Sequence, residues 1–292
     1  MIKGIRETVR EYAEYLQIKN YKLSTIRGYR CLLEKLLSAI DSLNIKDITV
    51  KDLKKYLIGR RANVCPETIR LEMSVFNLFF IWQKKIGKIL VNPMEKIEKP
   101  GPRKKIVFDV LSEKDIFFCL DKLKDKTYED KRDKAIIETL YATGMRKAEV
   151  TNLKTRDIDF MQGILYVRNG KGGKDRLLPI GKKAIEAIRK YLEVRRIYKG
   201  KPIEELFTTR VGKAMKTGTI DNMFRRVSNI LNNDLSAQKI RRTCATHMIR
   251  HGASVMHVKE LLGHERIGTM RHYVQVAAKD MKAEHMSKHP SG

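Results

Sequence analysis

Close to its C-terminal end the chain reads LLGHERIGTMRHYVQV, residues 261–276, which brings His264, His272 and Tyr273 together in sequence. A tyrosine in such a setting is either a packing residue or a nucleophile. A phenol, with a pKa of about 10, attacks well only where dense positive charge favours its phenolate. Residues that could supply such charge, or bind an anion, recur upstream. In GMRKAEV, 144–150, Arg146 stands two residues after a helix-ending glycine and opens a new helix, a place that offers a phosphate both a guanidinium and free backbone N–H groups. Taken alone it reads more readily as a surface arginine at a helix junction. GKGGK, 170–174, holds Lys171 at a hairpin tip whose glycines let the backbone approach a ligand; alone it is an ordinary solvated turn. It is not a nucleotide-binding loop, since no Gly-Lys-Ser/Thr opens a helix after a strand. QKIRRTCATHMIRHG, 238–252, is a helix carrying Arg241, Arg242, His247, Arg250 and His251. Cys244, His247 and His251 have a spacing that a metal could use, but no second cluster supplies a fourth ligand and Cys244 fits a core face, so no metal is expected. The adjacent arginines point instead to an anion. HVKELLG then gives a helix to Leu262, capped by Gly263 and followed by His264, which by itself is commonly structural.

The whole chain is as basic as these pieces. Its 292 residues hold 61 Lys and Arg against 34 Asp and Glu, a net charge of +27. The excess is +9 over residues 1–100 and +18 over the remainder, so two folded bodies share it rather than one tail. That suits a clamp on a polyanion with steeply salt-dependent affinity; a generally lysine-rich or ribosome-associated protein would look similar. With 42% hydrophobic and 33% charged residues the chain folds rather than remaining disordered. No apolar run reaches membrane-spanning length, and MIKGIRETVREYAEYL reads as an amphipathic helix rather than a signal peptide. Cys31, Cys65, Cys119 and Cys244 are scattered, as in reduced core residues of a cytoplasmic protein.

The elements that must position these residues are mostly helical. Ile5, Val9, Tyr12 and Leu16 share one helical face, as do Ile26, Tyr29, Leu33, Leu36 and Ile40 after Ser24, read as an N-cap. Thr49 with Asp52 forms a capping-box pattern for a short helix through Leu57, and Pro66 opens another with Ile69, Met73, Phe76 and Phe80 on its face. Residues 1–98 therefore read as a four-helix bundle. EKPGPRKKIVFDVLS contains the helix-stopping Pro100-Gly101-Pro102 and basic residues 103–105, giving a basic linker over 99–110. Ser112 with Asp115 caps the start of a second domain, 111–292. There AIIETLYATG is a helix closed by Gly144, and IDF, ILYV and RLLPI are three short strands with turns at Gln162-Gly163 and GKGGK. Helical periodicity restarts at Ile185, Ile188 and Leu192, and runs from Ile220 to the end. The expected fold class is mainly α (α+β), with one small three-stranded antiparallel sheet.

Each motif is weak alone, but their joint order and spacing resemble the tyrosine recombinase (integrase) family, and most closely its Xer-type members. ATGMRKAEV is similar to the segment with the family's first arginine, GKGGKDRLLPI to its hairpin lysine segment, QKIRRTCATH to its histidine–arginine box, and ELLGHERIGTMRHYVQV to its histidine–tyrosine box. Arg241 precedes His264 by 23 residues, and His264 precedes Tyr273 by nine. LSTIRGYRCLLEKLL resembles the core-binding domain, and KAEHMSKHP the Xer-type C-terminus, so the resemblance covers nearly the whole chain.

The resemblance implies Tyr273 as nucleophile, Arg146 and Arg241 as phosphate clamps, Lys171 as general acid, His264 as a further donor to the phosphate, and Glu149 as a brace. It implies a 3′-phosphotyrosyl intermediate formed by transesterification without ATP, metal or cofactor, double-stranded DNA as partner, and a homo-tetramer on two sites that exchanges the helix after Tyr273 between protomers. One departure stands out. Gln238 occupies the family's usual histidine position in the arginine box; it can donate a hydrogen bond to a phosphate oxygen but cannot exchange a proton near neutral pH. Gln238 thus favours an alternative, a catalytically silent DNA-binding or architectural protein. A topoisomerase-like nicking and rejoining enzyme is a third reading.

Overall fold

The computed structural model describes residues 3–40, 44–101, 109–168, 170, 175–195 and 203–263. Among these residues no helix is long and apolar enough to cross a membrane. The chain divides into two compact units, Met1–Ile106 and Val107–Gly292.

The first unit contains α1 (Lys3–Ile18), α2 (Leu23–Ala39), α3 (Val50–Arg61) and α4 (Pro66–Lys85). The expected stripes meet in its core: Val9, Tyr12 and Leu16 from α1, Ile26, Leu33 and Leu36 from α2, and Ile69, Met73, Phe76 and Phe80 from α4 are all buried. Tyr12 adds an edge-on contact to Phe79 at 5.3 Å between ring centroids. The Thr49–Asp52 capping box is present. α3 continues past Leu57 to Arg61, because Arg60 is drawn into a 2.6 Å ion pair with the fully buried Glu72. Ser24 is not the N-cap of α2. The first helical bonds are accepted by the Lys22 carbonyl, so Lys22 caps without a side-chain bond and Ser24 lies inside the first turn. Burial of Ile26 and Leu33 sets the start of this helix more strongly than a hydroxyl cap would.

The second unit contains α5 (Glu113–Lys122), α6 (Tyr128–Thr143), α7 (Lys147–Thr151), β1 (Ile158–Asp159), β2 (Ile164–Val167), β3 (Arg176–Pro179), α8 (Lys182–Leu192), α9 (Thr217–Leu231), α10 (Ala237–Arg250) and α11 (Val255–Leu262). The strands form one antiparallel sheet in the order β1-β2-β3. Helices therefore dominate, with strands confined to one insertion, as the sequence predicts. α6 is the central element: Ala135, Ile136, Ile137 and Leu140 are all fully buried, which requires packing on several sides. It starts earlier than the apolar run suggests, because Thr127 and Asp130 form a capping box about two turns upstream of Ala135. The Ser112–Asp115 box opens α5.

α10 is held to the entry of this unit by a two-point clamp on Leu111. The Leu111 N–H donates to Thr243 Oγ1 at 3.0 Å, and the Leu111 carbonyl accepts from His247 Nε2 at 2.9 Å. A carbonyl can only accept, so Nε2 carries the ring proton and Nδ1 accepts from Tyr141 Oη at 2.8 Å. Burial, the largest influence, lowers the His247 pKa and keeps the ring neutral.

Candidate active site

The end of α11 organises the site. An α-helix leaves its last carbonyls without partners inside the helix, and they carry partial negative charge. Three successive carbonyls here each receive a different guanidinium: Leu261 O accepts from Arg176 Nε at 3.1 Å, Leu262 O from Arg241 Nη2 at 2.6 Å, and Gly263 O from Arg146 Nη2 at 2.9 Å. The second nitrogen of Arg241 donates to Gly144 O, the left-handed cap of α6. Two of the sequence-predicted residues, Arg146 and Arg241, are thus brought together although 95 positions separate them.

Two glycines permit this approach. Gly144 has φ +58°, and a Cβ there would lie 2.6 Å from Leu262 Cδ2 and 3.4 Å from Cys244 Sγ. Gly263, the α11 cap, has φ +63°, and a Cβ there would lie 3.4 Å from the Arg176 guanidinium carbon. Both need glycine for backbone conformation, and Gly144 also for space.

Glu149 binds the cluster from the other side. Its carboxylate accepts from the Arg146 backbone N–H at 2.7 Å and from Arg146 Nη1 at 3.1 Å. It also accepts the Arg176 fork, Nη1 at 3.0 Å and Nη2 at 2.8 Å. Burial alone would push this carboxyl up. The Arg176 and Arg146 hydrogen bonds and the two guanidinium charges outweigh burial and hold the carboxyl below the usual glutamate range. One expectation is corrected here. The Arg146 N–H is capped by Glu149 and is not a free donor, so the guanidinium rather than the helix start is what Arg146 can present to a phosphate.

Arg241 is buried, 7% exposed, five residues after the N-cap Ser236, whose hydroxyl accepts from the Lys239 N–H. Gln238 lies three residues earlier on α10 and is exposed, on the same side of the helix as Arg241 by helical spacing. Lys171, His264 and Tyr273 lie outside the described residues. Val167 and Arg176, which flank the Lys171 loop, pair across β2 and β3, so GKGGK does fall in a hairpin connection.

The possible metal trio does not converge. Cys244 is buried, with its thiol pushed up to about 12 by burial, His247 spends both ring nitrogens on Leu111 and Tyr141, and His251 pairs with Glu113. Among the described residues no group of three or more His, Cys, Asp or Glu could hold a metal. Tyr141, which precedes Arg146 closely in sequence, is unsuited as a nucleophile, because burial raises its hydroxyl to about 12.

Arg176 was missed as a site residue. A signal for it exists: on a strand, Arg176 and Leu178 share a face, and Leu178 is fully buried while Leu177 is 60% exposed.

The phage integrase family model matches residues 110–280. A tyrosine recombinase XerA from Pyrococcus furiosus is 31% identical over 281 residues, covering 94% of this chain and 92% of that protein. A tyrosine recombinase from Thermosipho africanus is 30% identical, covering 93% and 95%. Among solved structures, the XerH site-specific recombinase bound to palindromic difH substrate matches with a TM-score of 0.76 over 97% of this chain and 85% of that one at 18% identity. The Tn1549 transposon integrase in complex with transposon right end DNA matches with a TM-score of 0.74 over 96% and 99% at 19% identity. At such identities the structural likeness speaks for the fold, while the sequence match carries the assignment: the chain belongs to the phage integrase family and is an Xer-like tyrosine recombinase.

Proposed function

We propose that this chain is a site-specific recombinase that cuts and rejoins double-stranded DNA through a 3′-phosphotyrosyl intermediate on Tyr273. The observation that carries this reading is the convergence of Arg146 and Arg241 on consecutive carbonyls at the end of α11, immediately before His264. In this reading both guanidinium groups stabilise the extra negative charge that develops on the phosphate in the transition state; they never deprotonate, and their planar shape fits phosphate oxygens. His264 and Gln238 donate further hydrogen bonds. Lys171 protonates the leaving 5′-oxygen. One ester replaces another, so the energy of the broken bond is kept and ATP is not consumed.

The solved relative bound to transposon right end DNA supports DNA as the substrate, and the charge of +27 agrees with a polyanion held by both units. Residues 1–98 serve as the core-binding domain, 99–110 as the basic linker, and 111–292 as the catalytic domain. Four protomers assemble on two sites, with the helix after Tyr273 docked on a neighbour. The biological event is dimer resolution or movement of a mobile element, and the protein works in the cytoplasm.

Gln238 favours a second reading, a catalytically silent DNA-binding protein of the same fold. Cleavage sites are first mapped on DNA flanking the gene. Two differently labelled duplexes carrying the mapped site are then incubated with the protein. Recombinant duplexes joining both labels are expected. Tight binding with no cleavage supports the silent reading, and relaxation of supercoils without exchange supports a topoisomerase.

A further inference from the structure

We propose that Arg176 is a positioning residue for Lys171: its guanidinium locks the base of the hairpin that carries the lysine onto the arginine cluster. The inference rests on the reading of Lys171 as the proton donor. Its structural basis lies among the described residues. Arg176 is the first residue of β3 and pairs with Val167, the last residue of β2. Residues 168–175, which include Lys171, run between these two partners, so whatever fixes Arg176 fixes one foot of that loop.

Arg176 is fixed unusually firmly for a residue at a strand end. All three of its guanidinium nitrogens are engaged with two different elements. Nη1 and Nη2 fork onto both oxygens of Glu149 at 3.0 and 2.8 Å, and Nε donates to Leu261 O at 3.1 Å. The side chain is only 14% exposed. A bidentate pair constrains direction as well as distance, and the third bond, from Nε of the same planar group, restrains it further. At the other foot, Arg168 Nε donates to the buried Asp157 Oδ1 at 2.8 Å, but the arginine is itself 58% exposed and this one bond constrains it less than a fork does. The outward face of the hairpin adds nothing, since Leu177 is 60% and Tyr166 39% exposed. Without Arg176, the described residues of the hairpin keep Leu165, Val167 and Leu178 as buried anchors and the Arg168–Asp157 bond at the other foot, none of which ties the β3 foot to Glu149 and α11.

The same Glu149 carboxylate holds Arg146. The hairpin foot and the first phosphate-binding arginine are therefore set by one carboxylate, and Arg176 Nε ties the same guanidinium to the end of α11. A displacement of about 1 Å at a reacting group can lower a rate about 10²-fold, which is the effect expected when this lock is removed.

The test separates proton delivery from other defects. In a duplex whose scissile 5′-bridging oxygen is replaced by sulfur, Tyr273 oxygen bonds to phosphorus, the P–S bond breaks, and the sulfur leaves with the electron pair as a thiolate. A thiol pKa of about 8.5 lets it leave without a proton donor. Single-turnover cleavage of ordinary and sulfur-bridged nicked duplexes is measured for the full chain and for Lys171→Ala, Arg176→Gln, Arg176→Lys and Arg241→Ala, with melting temperature and DNA binding recorded for each. On ordinary DNA, Lys171→Ala and Arg176→Gln should each lose about 10²-fold. On sulfur-bridged DNA both should recover most of that loss, while Arg241→Ala should not. Arg176→Lys keeps the charge without the fork and should show the same pattern with a smaller loss. Rescue of Lys171→Ala without rescue of either Arg176 variant would overturn the inference and leave the Lys171 reading standing. Absence of rescue in Lys171→Ala would remove the Lys171 reading, and the inference with it. Failure of both Arg176 variants to fold would make Arg176 a stability residue and equally end the proposal.

Discussion

Arg241→Ala is expected to remove detectable cleavage of DNA while leaving most DNA binding intact. Arg241 is 7% exposed and its guanidinium is fixed by the Leu262 and Gly144 carbonyls, so its direction is preset before any substrate arrives. Preorganised donors of this kind are worth about 2.7–4 kcal/mol of transition-state stabilisation, or about 10²–10³ in rate. Alanine also releases two carbonyls at helix ends, so Arg146 loses part of the frame that orients it, and the loss should sit at or above the upper end of that range. Binding draws on 61 basic residues, so removing one should weaken affinity modestly and reduce the salt slope by about one. Single-turnover cleavage and a salt titration of binding check both halves. Binding that collapses in step with cleavage would make Arg241 a docking residue. Arg241→Lys should remain severely impaired, because a point charge cannot span two carbonyls and a phosphate as the planar fork does.

Glu149→Gln is expected to cost the second-largest amount, chiefly in stability. The carboxylate side chain is 8% exposed and lies between Arg146 and Arg176, accepting from both and from the Arg146 N–H. The amide has the same shape but brings N–H donors against two guanidinium groups. Breaking a buried pair by removing one partner typically costs about 3–5 kcal/mol. The pH dependence follows from the lowered Glu149 pKa. A carboxyl whose folded pKa is depressed contributes its stability fully above the ordinary value of 4.5 and loses it as pH falls through the folded pKa. The gap in urea midpoint between wild type and Glu149→Gln should therefore be full at neutral pH and narrow only in acid below 4.5. An equal gap at every pH would show that the charge of Glu149 does not stabilise the fold.

Much of this architecture could be read before any coordinates because it rests on local chemistry. The Thr49–Asp52 and Ser112–Asp115 boxes and the caps at Gly144 and Gly263 are written within a few residues of where they act. The three strands were visible as short apolar runs between glycine turns. Readings failed where distant partners decide. Ser24 has the right chemistry for a cap, but the burial of Ile26 and Leu33 places the helix start at Leu23. Arg146 looked like the owner of a free helix start because Glu149 was seen as a brace and not as the group that caps its N–H. Arg176 makes its bonds to residues 27 and 85 positions away; strand alternation puts it on the Leu178 face but does not name these partners. Arg241 could be read as an anion-binding residue, but not as a buried one: the carbonyl ends of α6 and α11 that accept from it come from distant parts of the chain.

The most direct test is the chemical identity of the covalent link. Wild-type protein is incubated with a nicked duplex bearing its site, denatured and digested, and the peptide still attached to DNA is sequenced by mass spectrometry. The expected product is a single phosphodiester between Tyr273 and the 3′ end of the cleaved strand. A link at any other residue, or no link from protein that binds the same DNA tightly, would contradict Tyr273 as the nucleophile.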